Sequence, residues 1–207
     1  MQTNMKYFKK QRQLNNYFNK EYFNSINFTD YEQRCKKYQR SAQELYQFLN
    51  INSDTSILDY GCAIGFLLNG FYEMGVRNLK GYDISEWAIK NNINKQIECT
   101  DNIDIFKISY DYAFAMDVFE HMFDNQISLA LGSLNVFNLI VRLPVKLINQ
   151  NDFHLQVSRN DPSHVNCKTK GEWIDYIESF GYSFSNTLNL TSTYDAPGCF
   201  VGQFIKV

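Results

Sequence analysis

The middle of the chain alternates short β-prone runs with helical segments, and this alternation restricts the fold more than any other feature of the sequence. The strand-like runs are, in chain order, SILDY (56–60), NLKGYDI (78–84), QIECT (96–100), YDYAFAM (110–116) and LNVFNLIVRL (134–143). Between them lie FLLNGFYEMG, which Gly75 closes, SEWAIKN, which Ser85 caps, and the segment around NQISLAL. Strand–helix alternation of this kind predicts a mostly parallel sheet covered by helices on both faces.

The last third of the sequence follows a different pattern. Thr169 and Glu172 form a T-x-x-E capping box, which predicts a helix over GEWIDYIESF that ends at Gly181. Two β-like runs follow, YSFSNTLNL (182–190) and GCFVGQFIKV (198–207), joined by a short turn that contains Ala196-Pro197-Gly198. So short a link predicts an antiparallel hairpin, which brings the sheet to seven strands.

The first 50 residues predict a helical cap on the domain that residues 51–207 form. Residues 1–25 interleave lysine and arginine with phenylalanine and tyrosine, and we interpret them as a partly helical flap whose aromatic rings pack on the domain. A nucleic-acid-binding arm is the alternative. Between Tyr31 and Leu49, apolar residues recur at steps of three and four, which predicts a helix that ends near Asn50.

Charge, cysteine spacing and hydropathy disfavour several classes of protein. The net charge of −2 over 207 residues provides no field that attracts nucleic acid or an anionic membrane. Five scattered cysteines without a CxxC pair argue against a zinc ribbon or a disulfide framework and fit a reducing compartment. No apolar run approaches the length of a membrane helix. We therefore expect a single-domain cytoplasmic protein with no membrane association, and the sequence leaves its oligomeric state open.

Four consecutive predicted strands end in glycines or polar side chains. In chain order these residues are Asp59, Gly61 and Gly65, then Asp83, then Asp101 and Asn102, then Asp117, Glu120 and His121. Ligands of doubly wound sheets bind in the crevice beyond the carboxyl ends of the strands, and glycines let the backbone approach a ligand closely. The pattern therefore predicts a nucleotide-type site at this edge of the sheet.

These segments resemble the motifs of the class I S-adenosylmethionine-dependent methyltransferases. LDYGCAIG looks like their first motif, GYDIS resembles the second, and DVFEHM resembles the segment after their fourth strand. The resemblance covers about residues 40–207 and is strongest in the small ubiquinone-type and sugar-modifying branch. It implies a Rossmann-like fold and S-adenosylmethionine as the cofactor. The sequence departs from the family at Ala63, which stands where the family has the middle glycine of G-x-G-x-G, and we expect its small methyl group to be tolerated.

The resemblance also implies which residues bind the cofactor. They are Asp59, Gly61, Cys62, Ala63, Gly65, Asp83, Ile84, Trp87, Asp101, Asn102 and Met116. In this family pattern the loop from Asp59 to Gly65 holds the methionine part, Asp83 binds the ribose, and Asp101 and Asn102 meet the adenine edge. Trp87 either stacks near the adenosine or faces the core.

The reaction we predict is transfer of a methyl group to a hydroxyl of a sugar or glycan. A hydroxyl has a high pKa and profits from a general base, for which we nominate His164 and His121, with Asp117 and Asp161 as backup bases. DPSHV, which contains His164, resembles a segment of sugar-modifying enzymes. Four alternatives stay open: a small phenolic or quinone-like acceptor, RNA (disfavoured by the charge), a module that binds the cofactor without turnover, and a nucleotide enzyme that uses another cofactor such as NAD. No ligand spacing in the sequence supports a metal site.

Overall fold

The computed structural model describes residues 17–23, 31–193 and 197–207, and for residues 31–36 the backbone alone. Most of the predicted basic and aromatic flap, and Ala196 of the predicted hairpin turn, lie outside the described residues.

Seven strands form one sheet, as the sequence predicts. They are β1 (Ile57–Tyr60), β2 (Leu79–Tyr82), β3 (Glu98–Thr100), β4 (Tyr110–Met116), β5 (Val136–Pro144), β6 (Tyr182–Leu188) and β7 (Cys199–Lys206). Their order across the sheet is β3-β2-β1-β4-β5-β7-β6. The first five strands pair in parallel, and β7 is antiparallel to both β5 and β6. The predicted Rossmann-like sheet with a C-terminal antiparallel hairpin is confirmed.

The helices of the described residues flank this sheet. They are α1 (Lys20–Phe23), α2 (Tyr31–Phe48), α3 (Phe66–Glu73), α4 (Glu86–Lys90), α5 (Asp124–Ser133), α6 (Gln156–Arg159) and α7 (Lys170–Glu178), with short 3-10 helices at Ile103–Lys107 and Phe119–His121. The predicted caps are present: the Ser85 side chain accepts from the Ala88 amide, and Thr169 and Glu172 form the reciprocal box. The sequence does not predict α6, because a helix of one turn is too short to show a periodic pattern of apolar residues.

Both faces of the sheet are buried. The side chains of β1 alternate between two apolar clusters, so that Leu58 packs with Trp173 and Phe204 on one face while Ile57 packs with Phe71 on the other. All four residues of β1 are buried, which is typical of a central parallel strand covered by helices on both sides. No helix within the described ranges has the length and the hydropathy that a membrane span requires.

The strand order reverses next to β1, and this reversal positions the site. The chain passes from β1 through β2 to β3 on one side and then returns to β4 on the other side of β1. The loops after β1 and β4 therefore diverge and leave a crevice between them. They also touch, since a Cβ at Gly61 would lie 2.5 Å from Cγ2 of Val118. Glycine is thus required at this position for two reasons: Val118 leaves no room for a Cβ, and the backbone is left-handed.

Candidate functional site

A cavity of about 430 Å³ opens at the carboxyl ends of β1, β2 and β4. Most of the predicted cofactor-binding residues line it, namely Asp59, Gly61, Cys62, Ala63, Asp83, Ile84 and Met116. The predicted catalytic residues Asp117, His121 and His164 line the same cavity. The structure therefore brings together, in one cavity, residues that lie up to about a hundred positions apart in the sequence.

The loop after β1 has an unusual backbone. Gly61, Ala63 and Gly65 adopt φ angles of 81°, 47° and 85°, all in the left-handed region. Glycine adopts this region freely, whereas an alanine there costs about 1–2 kcal/mol. Ala63, which stands where the family has its middle glycine, thus affects the backbone conformation of the loop. From the sequence alone, the expected effect of this alanine is only the added volume of its methyl group.

Asp83 fixes this loop. Its Oδ2 accepts from the Ala63 amide at 2.8 Å, and its Oδ1 accepts from the Ser85 amide at 2.8 Å. The side chain is buried, and burial raises the pKa of Asp83 to about 6 although the backbone donors favour the ionised form. Asp83 therefore links the loops that follow β1 and β2. It presents to the cavity a carboxylate whose burial is partly offset by backbone hydrogen bonds.

Asp59 is a second buried carboxyl group on this side of the cavity. Burial, with a smaller effect from the neighbouring Asp83, raises the pKa of Asp59 to about 8. A positively charged ligand would favour the ionised form of both groups. The β1–β2 side of the cavity is therefore suited to a cation.

The thiol of Cys62 lies beside these carboxyl groups and has no nucleophilic character. A hydrogen bond with Cys99, together with burial, raises the pKa of Cys62 well above its usual range. Both sulfurs pack against Gly81, where an added Cβ would lie 2.7 Å from each. Cys62 thus fills space in the loop, as its apolar surroundings predict.

Four predicted cofactor-binding residues do not line the cavity. Gly65 begins α3, and Trp87 stacks on Phe23 with ring centroids 5.2 Å apart. The Asn102 side chain caps a 3-10 helix by accepting from the Asp104 amide, and its exposed neighbour Asp101 lies in a bend. Their assignment to the cofactor stays a prediction.

On the opposite side of the cavity, two imidazoles converge on a buried carboxyl group. The rings of His121 and His164 lie 4.6 Å apart in an edge-to-face arrangement. Their Nε2 atoms lie 3.9 Å and 4.0 Å from Oε1 of Glu120, which has no accessible surface. We call these three residues the His–Glu cluster.

Backbone hydrogen bonds hold the cluster together across a long stretch of sequence. The amides of Val165 and Asn166 donate to the Glu120 carbonyl at 2.9 Å and 3.0 Å. The Asn166 side chain also donates to the Met122 carbonyl and to Asp124. The loop that carries His164 is therefore fixed to the segment that follows β4.

A hydrogen-bond relay determines which nitrogen of His121 is protonated. The Ser163 hydroxyl donates to Oδ1 of Asp161, because an ionised carboxylate can only accept. The Ser163 oxygen lies 2.8 Å from Nδ1 of His121, so that Nδ1 must be the donor in this contact. The lone pair of His121 then resides on Nε2, which faces Glu120.

Burial keeps both imidazoles neutral. It lowers the pKa of His121 to about 4, assisted by His164, and it lowers the pKa of His164 against the opposing charge of Asp161. Burial also raises the pKa of Glu120 well above its usual range, and the charge of Asp117 acts in the same direction. At neutral pH the two histidines are therefore unprotonated bases.

Asp117 has partners that the sequence analysis missed. Its backbone is left-handed, with φ 59°, and its carboxylate pairs with the buried Arg142 and accepts from the Tyr38 hydroxyl at 3.4 Å. The signal for Arg142 was present, since a charged residue inside the apolar run LIVRLP must find a partner when the strand is buried. For Tyr38, one of many tyrosines on a long helix, no such signal exists.

The described N-terminal residues cover the cavity next to the His–Glu cluster. Phe18, Tyr22 and Phe23 line it, and the ring of Phe18 lies 5.7 Å from that of His121. The Ser85 hydroxyl donates to the Phe18 carbonyl, which ties this segment to the start of α4. Nothing in the spacing of these aromatics distinguished them from core residues.

Comparisons with known proteins agree with the fold. A protein-family model described as a methyltransferase domain matches residues 32–134, and no curated protein sequence matches the chain. Among solved structures, magnesium protoporphyrin IX methyltransferase from Synechocystis PCC 6803 with bound S-adenosylhomocysteine is similar, with TM-score 0.66, 16% identity, and coverage of 90% of this chain and 97% of that chain.

Two further solved structures share the fold. The 1,6-didemethyltoxoflavin-N1-methyltransferase of Burkholderia thailandensis, with bound 1,6-didemethyltoxoflavin and S-adenosylhomocysteine, has TM-score 0.67 and 12% identity over 97% of this chain and 90% of that chain. A putative methyltransferase in complex with the Haloferax volcanii Trm112 methyltransferase activator has TM-score 0.67 and 11% identity over 89% and 96%. At sequence identities this low, the similarity to these solved structures shows the fold alone. The relationship to the methyltransferase family rests on the match to the family model.

Proposed function

Because the chain belongs to the class I S-adenosylmethionine-dependent methyltransferases, we propose that it transfers the cofactor's methyl group to a hydroxyl oxygen of a sugar or glycan, with a histidine as the general base. One observation carries the proposal: a single cavity combines the cofactor motifs with two neutral, partly buried imidazoles. The first feature supplies the methyl donor, and the second can accept the proton that a hydroxyl must lose.

The cofactor belongs on the β1–β2 side. The carboxylate of Asp83 suits the ribose hydroxyls, because its two oxygens can each accept a further hydrogen bond beside the backbone donors. The carboxyl of Asp59 lies beneath the same loop, where the positively charged methionine part would favour its ionised form. The histidines line the opposite side of the same cavity, where they would face an acceptor placed beside the bound cofactor.

The transfer step needs alignment and one proton acceptor. The cofactor, when bound, would supply an electrophilic methyl group on a sulfonium, whose sulfur would keep the electron pair of the broken carbon–sulfur bond. The Nε2 lone pair of His121, or His164, would accept the proton of the attacking hydroxyl. Positioning in a closed cavity supplies much of the rate enhancement, and a matched base adds roughly 100- to 10,000-fold.

The charges that line the acceptor side favour an uncharged acceptor over RNA. Asp117, Glu120 and Asp161 are acidic, whereas the basic residues are Lys37 and the paired Arg142. Because burial raises the pKa of Glu120 and favours its neutral form, the two remaining acidic groups balance the two basic ones, and the lining provides no net positive field for a phosphate backbone. Phe18 and Tyr22 add flat apolar surface beside His121, which suits a sugar ring better than a chain of phosphates.

Calorimetry on the full chain tests the cofactor. We expect S-adenosylmethionine and S-adenosylhomocysteine to bind, NAD to bind more weakly, and Asp83→Ala to lose affinity. If neither adenosyl ligand binds, or if Asp83→Ala binds like the wild type, the proposed function is wrong.

A labelled-methyl assay against panels of sugars, phenols and RNA then tests the acceptor. We expect turnover with hydroxylated sugars, and greater turnover with phenols or RNA would overturn this acceptor class. His121→Ala and His164→Ala should each lower kcat while the affinity for S-adenosylhomocysteine stays unchanged. His154→Ala is the matched control, because His154 lies outside the cavity lining and contacts Gln150. Near-normal turnover in both cavity variants would contradict the assignment of the base.

A further inference from the structure

The residue types of the His–Glu cluster are also those of a metal-binding site, a property that general-base catalysis does not use. Three residues of the kinds that ligate transition metals each offer an atom within 4.8 Å of the other two. Two imidazoles and one carboxylate form a common protein ligand set for Zn²⁺ and for other first-row metal ions with open coordination positions. The sequence did not indicate this site, because Glu120 and His121 are adjacent in the chain whereas His164 arrives on a distant loop.

We propose that Glu120, His121 and His164 bind a divalent transition-metal ion whose open coordination position faces the cavity and holds the acceptor oxygen. The ion site itself stands on the geometry of the cluster. The role of the ion toward the acceptor oxygen rests on the proposed function.

The separations within the cluster are close to those of a loaded site. A tetrahedral ion with bonds of about 2.0–2.1 Å holds its ligand atoms roughly 3.3 Å apart. The Nε2 atoms of His121 and His164 lie 3.9 Å and 4.0 Å from Oε1 of Glu120. All three ligand atoms lie within 4.8 Å of one another, so the cluster is a preformed but slightly expanded version of such a site.

Unsatisfied polar atoms provide an independent sign of a missing ligand. Within the described residues, both carboxyl oxygens of Glu120 are buried without a hydrogen-bond partner. Buried carboxylates are paired, hydrogen-bonded or bound to a metal, because leaving one unsatisfied is unfavourable. A divalent cation between the imidazoles would satisfy Glu120.

The surroundings of His121 prepare it as a ligand. Its Nδ1 donates to Ser163, which donates in turn to Asp161, and this relay leaves the Nε2 lone pair directed at the cluster. A carboxylate that acts through a hydrogen-bond chain in this way orients metal-binding histidines and raises their basicity.

Such an ion would change how the acceptor loses its proton. A hydroxyl bound to a divalent metal ion ionises more readily, as zinc-bound water does with a pKa near about 7. The imidazoles would then be ligands, and the proton would pass to the nearby carboxylate of Asp161, whose Oδ2 lies 3.8 Å from Nε2 of His164. The oxygen attacks the methyl carbon, and the carbon–sulfur bond breaks as before.

Metal titration of the full chain tests the site. The protein is stripped with EDTA and then titrated with zinc chloride or manganese chloride, and affinity and bound metal per chain are measured. We expect one ion per chain, with Glu120→Gln, His121→Ala and His164→Ala each lowering the affinity by at least about 100-fold. His154→Ala should bind like the wild type. An anomalous-scattering map of zinc-soaked crystals should place the ion between the three side chains.

The contrary outcomes are distinct. If the wild type binds no ion, or if Glu120→Gln and His164→Ala bind as tightly as the wild type, the metal site is wrong and Glu120 is a protonated acid packed between two imidazoles. Should a variant fail to fold, the anomalous map of the wild type decides alone. Methyl transfer that persists undiminished in EDTA overturns the role of the ion and leaves the histidine base. Ion binding without S-adenosylhomocysteine binding refutes the proposed function and leaves the site.

Discussion

The two sides of the cavity are built in different ways. The cofactor side comes from two neighbouring strands and the turns that follow them, so that its main contact, from Asp83 to the Ala63 amide, joins residues close in sequence. The acceptor side joins the segment after β4, the loop before α7 and the N-terminal residues, through contacts such as that between Glu120 and Val165. The first side is therefore a property of the fold, whereas the second depends on loops that can change independently of it.

The electrostatics of the two sides differ in the same way. Burial raises the pKa of Asp59 and Asp83, which prepares the cofactor side for a cation. On the acceptor side burial lowers the pKa of His121 and His164, which prepares neutral lone pairs. Burial disfavours the charged form of every titratable group, so the same physical cause yields a cation site on one side and bases or metal ligands on the other.

The largest effect should come from removing the anchor of the cofactor side. Asp83→Ala deletes two charge-assisted hydrogen bonds to the loop, and we expect the affinity for S-adenosylhomocysteine to fall on the order of 100-fold. Calorimetry measures this fall, and zinc titration of the same variant should be unchanged. A simultaneous loss of zinc binding would show that the two sides are not independent.

The contrast between the sides explains what the sequence could predict. The strands, the capped helices and the loop from Gly61 to Gly65 follow from periodicity, capping residues and glycines, which act over a few residues. Asp83 was identifiable because it ends a strand whose neighbour carries the glycines. The conformation of Ala63 was not, since alanine rarely adopts a positive φ and only the surrounding loop imposes it.

On the acceptor side the sequence indicated the residue types but not their partners. His121 and His164 were among only three histidines, so both became candidates. Their convergence on Glu120 depends on the path of the loop between β5 and α7, which no local pattern encodes. Arg142 was detectable as a charge in an apolar strand, whereas the contact of Phe18 with His121 requires the three-dimensional structure.

A single methyl group should suffice to disturb the cofactor side. Gly65→Ala places a Cβ 2.8 Å from Oδ1 of the buried Asn92 at a φ of 85°, whereas Gly75→Ala, at a φ of 96°, meets nothing within 4 Å. Both variants lose the roughly 1–2 kcal/mol of a left-handed alanine, and Gly65→Ala should lose about 1 kcal/mol more. Urea unfolding measures both changes. Equal losses would mean that the loop relaxes and is less rigid than its contacts indicate.

The acceptor side should respond to the loosening of its loop. Asn166→Ala removes the side-chain hydrogen bonds to Met122 and Asp124 that hold the His164 loop in place. We expect kcat to fall roughly 10-fold, because a reacting group displaced by a fraction of an ångström loses alignment, while the affinity for S-adenosylhomocysteine stays unchanged. Steady-state kinetics and calorimetry test this, with Asn189→Ala on the exposed surface after β6 as the control. A loss of cofactor affinity in Asn166→Ala would contradict the separation of the two sides.

Cofactor binding should depend on pH through Asp59. Because the pKa of Asp59 is about 8, its carboxyl group is protonated at neutral pH when no cofactor is bound. A cationic ligand lowers that pKa. S-adenosylmethionine should therefore bind several-fold more weakly at about pH 6.5 than at about pH 8, and near pH 7 its binding should release a fraction of a proton. Calorimetry in buffers of different ionisation enthalpy measures the release. Asp59→Asn should abolish it, and an unchanged release would assign the proton to another group.

The smallest effect should come from restoring glycine at Ala63. Ala63→Gly relieves a left-handed alanine and adds the unfolded-state entropy of glycine, which together should stabilise the protein by roughly 0.5–1 kcal/mol. Ala130→Gly, in the middle of α5, is the matched control and should have the opposite sign, because glycine weakens a helix by about 1 kcal/mol. Urea unfolding separates the two. If Ala63→Gly destabilises the protein, the methyl group of Ala63 contributes packing energy in the apolar cluster that it forms with Phe18, Tyr22 and Phe23. The cofactor side would then depend on this distant segment rather than on its own turn.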